Sequence, residues 1–316
     1  MIKRFQNKIT ESRKTLPVAG AIAAAIWLLC GLIQQHLWLP FVCFAVATFL
    51  MVELNNANSL IRIYSRMISC AFMALTCSSV YLFPSVKGGM IAVCAVLFYV
   101  LFLHSFQDRN ATGRVFYAFF CVGLASVLFV QSLFYVPLLW VLLATNMVAH
   151  SWRTFFASIF GLILPYWFFA GYYAYIGDFS DFAAHFASIA EFGRIADIFC
   201  VNTYQIITFA FVLLCALIGT VHFLRNSSKD KIRTRMIFEM FITVDIATVV
   251  FIILQPQHFD ILIRIAIVNT SPLIGHFISL TNTKLTNITC IVLMIIALSI
   301  PIVTYFLGLW TPSLTF

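Results

Sequence analysis

Two consecutive apolar stretches, residues 236 to 255 and 259 to 281, carry Glu239, Asp245, Arg264, Asn269 and His276 around the turn "QPQHFD", which adds Asp260. Ionisable side chains are costly inside apolar, membrane-length segments, so by default they mark a polar path or a buried pair. Proton relay, ion binding and a purely structural interhelical pair are the chemistries such a set can perform. Closing the two stretches as a hairpin centred near residue 257 sets Glu239 opposite His276 and Asp245 opposite Asn269. Arg264 then has two ways to go, inward to Asp245 or outward to Asp260 and the headgroups.

Two further polar groups flank the apolar runs. The first joins "VELNNANSLIRIYSR", with Glu53, Asn55, Asn56, Asn58, Arg62 and Arg66, to "HSFQDRNATGR", with His104, Asp108, Arg109, Asn110 and Arg114, and to "HSWR", with His150 and Arg153. Arginines gathered this way can hold a phosphate in a polar pocket, or they can be wet loops fixed by Asn turns. The second is "GDFSDFAAHFASIAEFGRIADIFCVN", residues 177 to 202. Phe179, Phe182, Phe186 and Ile189 recur at three- and four-residue spacing, with Asp181, His185 and Ser188 on another face. This predicts an amphipathic interfacial helix within residues 178 to 203. It would either cap the bundle or present Asp178, Asp181, His185 or Glu191 to an amphiphilic substrate.

No Walker loop, HExxH, GxSxG or GxGxxG occurs, so no cofactor is implied and no catalytic residue is assigned. The nine cysteines, at 30, 43, 70, 77, 94, 121, 200, 215 and 290, contain no CxxC pair and sit almost all in apolar runs. They read as small core residues rather than zinc ligands.

What must position these groups is a set of membrane helices. With 62% hydrophobic and only 9% charged residues, 34 of them Phe among 316 in all, the chain lies far from soluble composition. Apolar runs fall at about 16 to 36, 38 to 54, 62 to 84, 88 to 106, 114 to 131, 133 to 149, 153 to 177, 204 to 224, 236 to 255, 259 to 281 and 287 to 309. They are continuous rather than alternating, which predicts an all-α bundle of about eleven spans and not a barrel. Residues 114 to 149 divide into two short spans or form one kinked helix.

Threading the charges through that map with the N-terminus inside puts sixteen of nineteen Lys and Arg on the cytoplasmic side. Lys87 and Arg194 fall outside and Arg264 within a span, so the C-terminus is expected outside. The basic run "RNSSKDKIRTR", residues 225 to 235, reads as a solvated topology loop. The net charge of +8 is spent on such anchors and forms no aromatic-interleaved patch, which argues against nucleic acid. Residues 1 to 15 read as a cytoplasmic leader and 16 to 316 as one transmembrane domain.

The centre of the chain, "NSLIRIYSRMISCAFMAL" with "FLHSFQDRNATGRVFYAFF" and "SWRTFFASIFGLILPYWFF", resembles an uncharacterised family of multi-span inner-membrane proteins from Bacteroidetes. The block "GLASVLFVQSLFYVPLLWVLL" is more distantly similar to spans of C-type glycosyltransferases and O-antigen polymerases. The resemblance implies an inner-membrane, cell-envelope protein handling a polyprenyl-linked glycan or similar amphiphile at the outer face. It supplies no catalytic residue, because the first outer turn, "QQHLW", has no acid. A transporter using the intramembrane charges and a non-catalytic scaffold are the rival expectations.

Overall fold

A computed structural model describes residues 4–191 and 202–306, and within them the chain is helical without strands. Arg194, Cys200 and the chain beyond residue 306 lie outside the described residues. The helices are α1 (Phe5–Glu11), α2 (Thr15–Leu29), α3 (Trp38–Asn58), α4 (Met67–Cys77), α5 (Val86–Phe102), α6 (Thr112–Leu128) and α7 (Val136–Thr145). They continue with α8 (Trp152–Ile176), α9 (Ser180–Ala187), α10 (Thr203–Asn226), α11 (Ile232–Leu254), α12 (Phe259–Leu280) and α13 (Lys284–Phe306).

Each predicted apolar run holds a helix. Seven of the resulting segments are long and apolar enough to cross a membrane, and α2, α4, α6 and the stretch through α7 are shorter apolar helices. Residues 114 to 149 split into two elements, α6 and α7, joined by a 3-10 stretch Val130–Tyr135. Hydroxyls and amides set several ends. Ser151 and Thr154 form a capping box that starts α8, Asn202 and Gln205 do the same for α10, and the Ser85 hydroxyl accepts from Gly88 N at α5. Gly177, at φ +80°, closes α8 in the left-handed conformation that glycine adopts without strain.

The bundle turns its apolar side chains outward as well as inward. Along α8, Phe156, Phe160, Ile163, Trp167 and Phe168 are exposed, as are the aromatics Trp152 and Tyr175 at its two ends. The centre is α12. Its apolar segment is 94% buried, against 22 to 50% for the other six long segments. Packed around it are α4, α5, α10 and α11, with α1 against its C-terminal end. Close approach between helices depends on small residues. A Cβ on Gly161 of α8 would lie 2.4 Å from the Phe116 carbonyl of α6, and one on Gly219 of α10 would lie 2.6 Å from the Leu273 backbone of α12.

Candidate functional site

Polar groups concentrate along α12, the helix most enclosed by protein. Half-way along it the sequence Asn269-Thr270-Ser271-Pro272 interrupts the apolar surface, and Pro272 has no N–H to give the Val268 carbonyl. Around this point four elements contribute polar atoms. Tyr99 of α5 donates to Asn269 Oδ1 at 2.5 Å, Thr270 Oγ1 lies 3.4 Å from Asp245 Oδ1 of α11, and Tyr135 donates to Thr248 Oγ1 at 3.0 Å. Asp245 is only 5% exposed. Among the described residues its one hydrogen-bond partner is that hydroxyl, a long contact, and Asn269 Nδ2 has none. Beside them a cavity of about 60 Å³ is lined by Tyr99, Ser132, Tyr135, Val244 and Ile265, with the Ser132 hydroxyl also unpartnered.

Arg264 does not reach Asp245. Its guanidinium runs sideways from α12 to donate to the Leu82 carbonyl and fills the space that the absent side chain of Gly88 leaves. A carbonyl is a sufficient partner for one N–H, and Gly88 provides the room. Asp260 is exposed and accepts from Gln205 Nε2 at 2.8 Å, at the start of α10. The expected pairing of Glu239 with His276 also fails. Glu239 is exposed on the outer side of α11, because helical rotation turns it away from α12 at the depth where His276 is fully buried.

His276 meets instead a residue of the basic loop. Asp230, within "RNSSKDKIRTR", folds inward until its side chain has no exposure, and its Oδ2 lies 3.2 Å from His276 Nε2. Its Oδ1 lies 2.9 Å from Arg62 Nε, an ion pair whose angle is off the hydrogen-bond line. Arg62 Nη1 donates to the Lys229 carbonyl, and the ring of His222 of α10 lies tilted at 52° and 5.5 Å from the His276 ring. Burial raises the Asp230 carboxyl above its ordinary value, opposed by Arg62, His222 and Arg235. The loop is therefore folded onto the bundle rather than freely solvated. Asp230 and His222 escaped the sequence reading, although a lone acid among five bases was the available signal for the first.

Around this cluster part of the first polar group assembles. Asn58 accepts from Arg233 Nη2 at 2.8 Å, Asn55 donates to the Ser65 carbonyl, and the Ser65 and Ser279 hydroxyls meet at 3.1 Å. An open pocket of about 570 Å³ lies alongside, lined by Asn55, Asn56, Ser59, Arg62, Tyr64 and Lys231 among others. Glu53, Arg109 and Arg153 stay exposed and do not join it, while Asp108 pairs loosely with Arg114 at 3.8 Å and caps Asn110 N.

The outer segment holds a short helix, α9, over the first part of its predicted range, and residues 192 to 201 of it lie outside the described residues. Its faces differ from expectation. Phe182 packs with His185 against Phe169, His185 Nε2 lies 3.2 Å from the Ser126 carbonyl, and Phe179 is exposed. A His ring is amphipathic and can share an apolar face when its nitrogen finds a carbonyl. Desolvation lowers the His185 value, the Ser126 carbonyl opposes this, and Lys87 adds to the lowering. Asp178 and Asp181 are exposed; the Ser180 side chain and then its backbone N–H, which donates to Asp178, hold the Asp178 carboxyl below the ordinary value.

Among the described residues no group of three or more His, Cys, Asp or Glu is arranged to hold a metal, and the described cysteines are free thiols. The chain matches no protein-family model, no curated protein and no solved structure.

Proposed function

We propose that this chain is a transporter of the bacterial inner membrane in which Asp245 binds and releases a proton or small cation. Eleven spans, a cytoplasmic N-terminus and an outer C-terminus complete the reading, supported by the helices in the eleven apolar runs and by the basic residues at alternate turns. The observation that carries it is Asp245 itself. A carboxylate at mid-bilayer costs about 3 kcal/mol or more unless a cation or a proton compensates it. Here its described contact is the neutral Thr270 hydroxyl, beside a proline-containing helix and a small cavity. Helix carbonyls left without a backbone donor, as at Val268 opposite Pro272, are groups of the kind that bind coupling ions in membrane transporters.

Handling of a lipid-linked glycan at the outer face draws less support. Asp178, His185 and Asp260 each have separate local partners, and among the described residues no contact joins them with Asp181 in a common site.

The test is infrared spectroscopy on the full chain in liposomes during repeated acid and alkaline exchange. A protonated-carboxyl band that appears and disappears reversibly in the natural protein, and is missing from Asp245→Asn, is expected. A spectrum that Asp245→Asn leaves unchanged would remove the basis for the reading.

A further inference from the structure

The open pocket beside the Asp230 cluster is separate from Asp245 and does not depend on the transport reading. Its basic lining consists of Arg62 from the loop after α3 and Lys231 from the loop before α11. The two come from distant parts of the sequence and are brought together by the ion pair of Arg62 with Asp230, the residue next to Lys231. That pair occupies Nε of Arg62, and Nη1 donates to the Lys229 carbonyl. Nη2 makes no protein hydrogen bond, and the Lys231 side chain is exposed without an ion-pair partner among the described residues. Two cationic donors thus face a cavity whose acid is already committed to Arg62 and His276.

Size and surroundings narrow the occupant. A volume of about 570 Å³ lies within the range of about 300–1,000 Å³ for small-molecule sites, far more than a bare inorganic anion fills. Asn56 and Ser59, both exposed, add groups suited to hydroxyls. Ile63 and Tyr64 also line the pocket, 40% and 58% exposed, and give it an apolar edge. Arg233 and Arg235, in the first turn of α11, add positive field to that of Lys231.

We propose that this pocket binds a phosphate ester with a hydroxyl-bearing head, its phosphate held by Arg62 and Lys231. Charge-assisted contacts of Arg and Lys to phosphate oxygens supply the affinity, and the polar rim orients the head. The same chemistry is offered by a phospholipid headgroup and by a free polyol phosphate, and the apolar edge accommodates the chain of the former.

The experiment is titration calorimetry of the full chain in a neutral detergent at low salt, with two probes. One is dihexanoyl phosphatidylglycerol and the other is glycerol 3-phosphate. Lys231→Gln is the diagnostic variant, since its side chain is exposed and makes no capping hydrogen bond to α11, so the fold does not need it. Lys14→Gln, an exposed lysine outside the pocket, is the control. At least tenfold weaker binding of the lipid probe to Lys231→Gln, with Lys14→Gln unchanged, is expected. Displacement of the lipid by glycerol 3-phosphate would identify the head alone as the ligand; lipid binding without displacement would identify a membrane amphiphile. Failure of both probes to bind, or equal weakening by both substitutions, would overturn the proposal in favour of a diffuse basic surface.

Discussion

Arg62 compensates a carboxylate that has no solvent, so its removal tests the basic cluster directly. Arg62→Gln leaves Asp230 buried beside an imidazole, and breaking a buried pair from one side costs about 3–5 kcal/mol, with the lower figure apt because Arg62 is 39% exposed. Adding Asp230→Asn should recover much of the loss. The sign of the pH effect follows from the raised Asp230 value. A carboxyl raised in the folded state contributes stability at low pH that is lost as pH rises through its folded value. The Arg62→Gln defect should therefore be mild in acid and deepen toward neutrality, which thermal unfolding in detergent at several pH values will measure. Arg62 was readable in the sequence as an anion-binding candidate. Asp230 was not, because charge counting treats a loop as a sum and ignores which member turns inward.

At the scale of elements, helix positions followed closely from run length and polarity, since a backbone without water must satisfy its own hydrogen bonds. Side-chain direction did not follow. The hairpin of α11 and α12 has the expected turn, yet depth alone could not tell that Glu239 points outward and that Arg264 finds a carbonyl on a third segment. In α9, eight residues are too few for periodicity to decide whether His185 joins the aromatic face. Helix contacts permit a sharper test. Gly161→Ala should cost about 1–3 kcal/mol, because the added methyl meets backbone that cannot yield easily. Gly171→Ala on the same helix, where a Cβ meets nothing within 4 Å, should be neutral or stabilising. Comparing the two unfolding midpoints separates packing from helix propensity.

For the whole molecule, the expected arrangement places Ser228 in the cytoplasm, Gly177 outside and the end of the chain outside. Reporter enzymes inserted at Ser228 and Gly177 and fused after Phe316 should be active in the cytoplasm, the periplasm and the periplasm respectively. A cytoplasmic signal from the last would mean an even number of spans. The shortness of α4 does not argue against its crossing. The Ser78 and Ser79 hydroxyls bond back to the Leu75 carbonyl and end the helix early, and its neighbours α2, α3, α12 and α13 surround it. Irregular backbone at that depth is tolerated where protein rather than lipid covers it.

The enclosure of α12 has a consequence for how the chain is made. This helix carries Arg264, Asn269 and His276 into the bundle, yet almost none of its surface faces outward once folded. The helices packed around it, α1, α4, α5, α10 and α11, all precede it in the chain and have been synthesised by the time it leaves the ribosome. Membrane insertion of α12 and closure of the bundle are thereby joined in one event. α12 has no comfortable resting place in lipid, and the earlier helices have no filled centre until it arrives. A cell that stops translation before Phe259 would hold an open ring of helices, exposed to proteolysis and lacking His276, one of the two partners of Asp230.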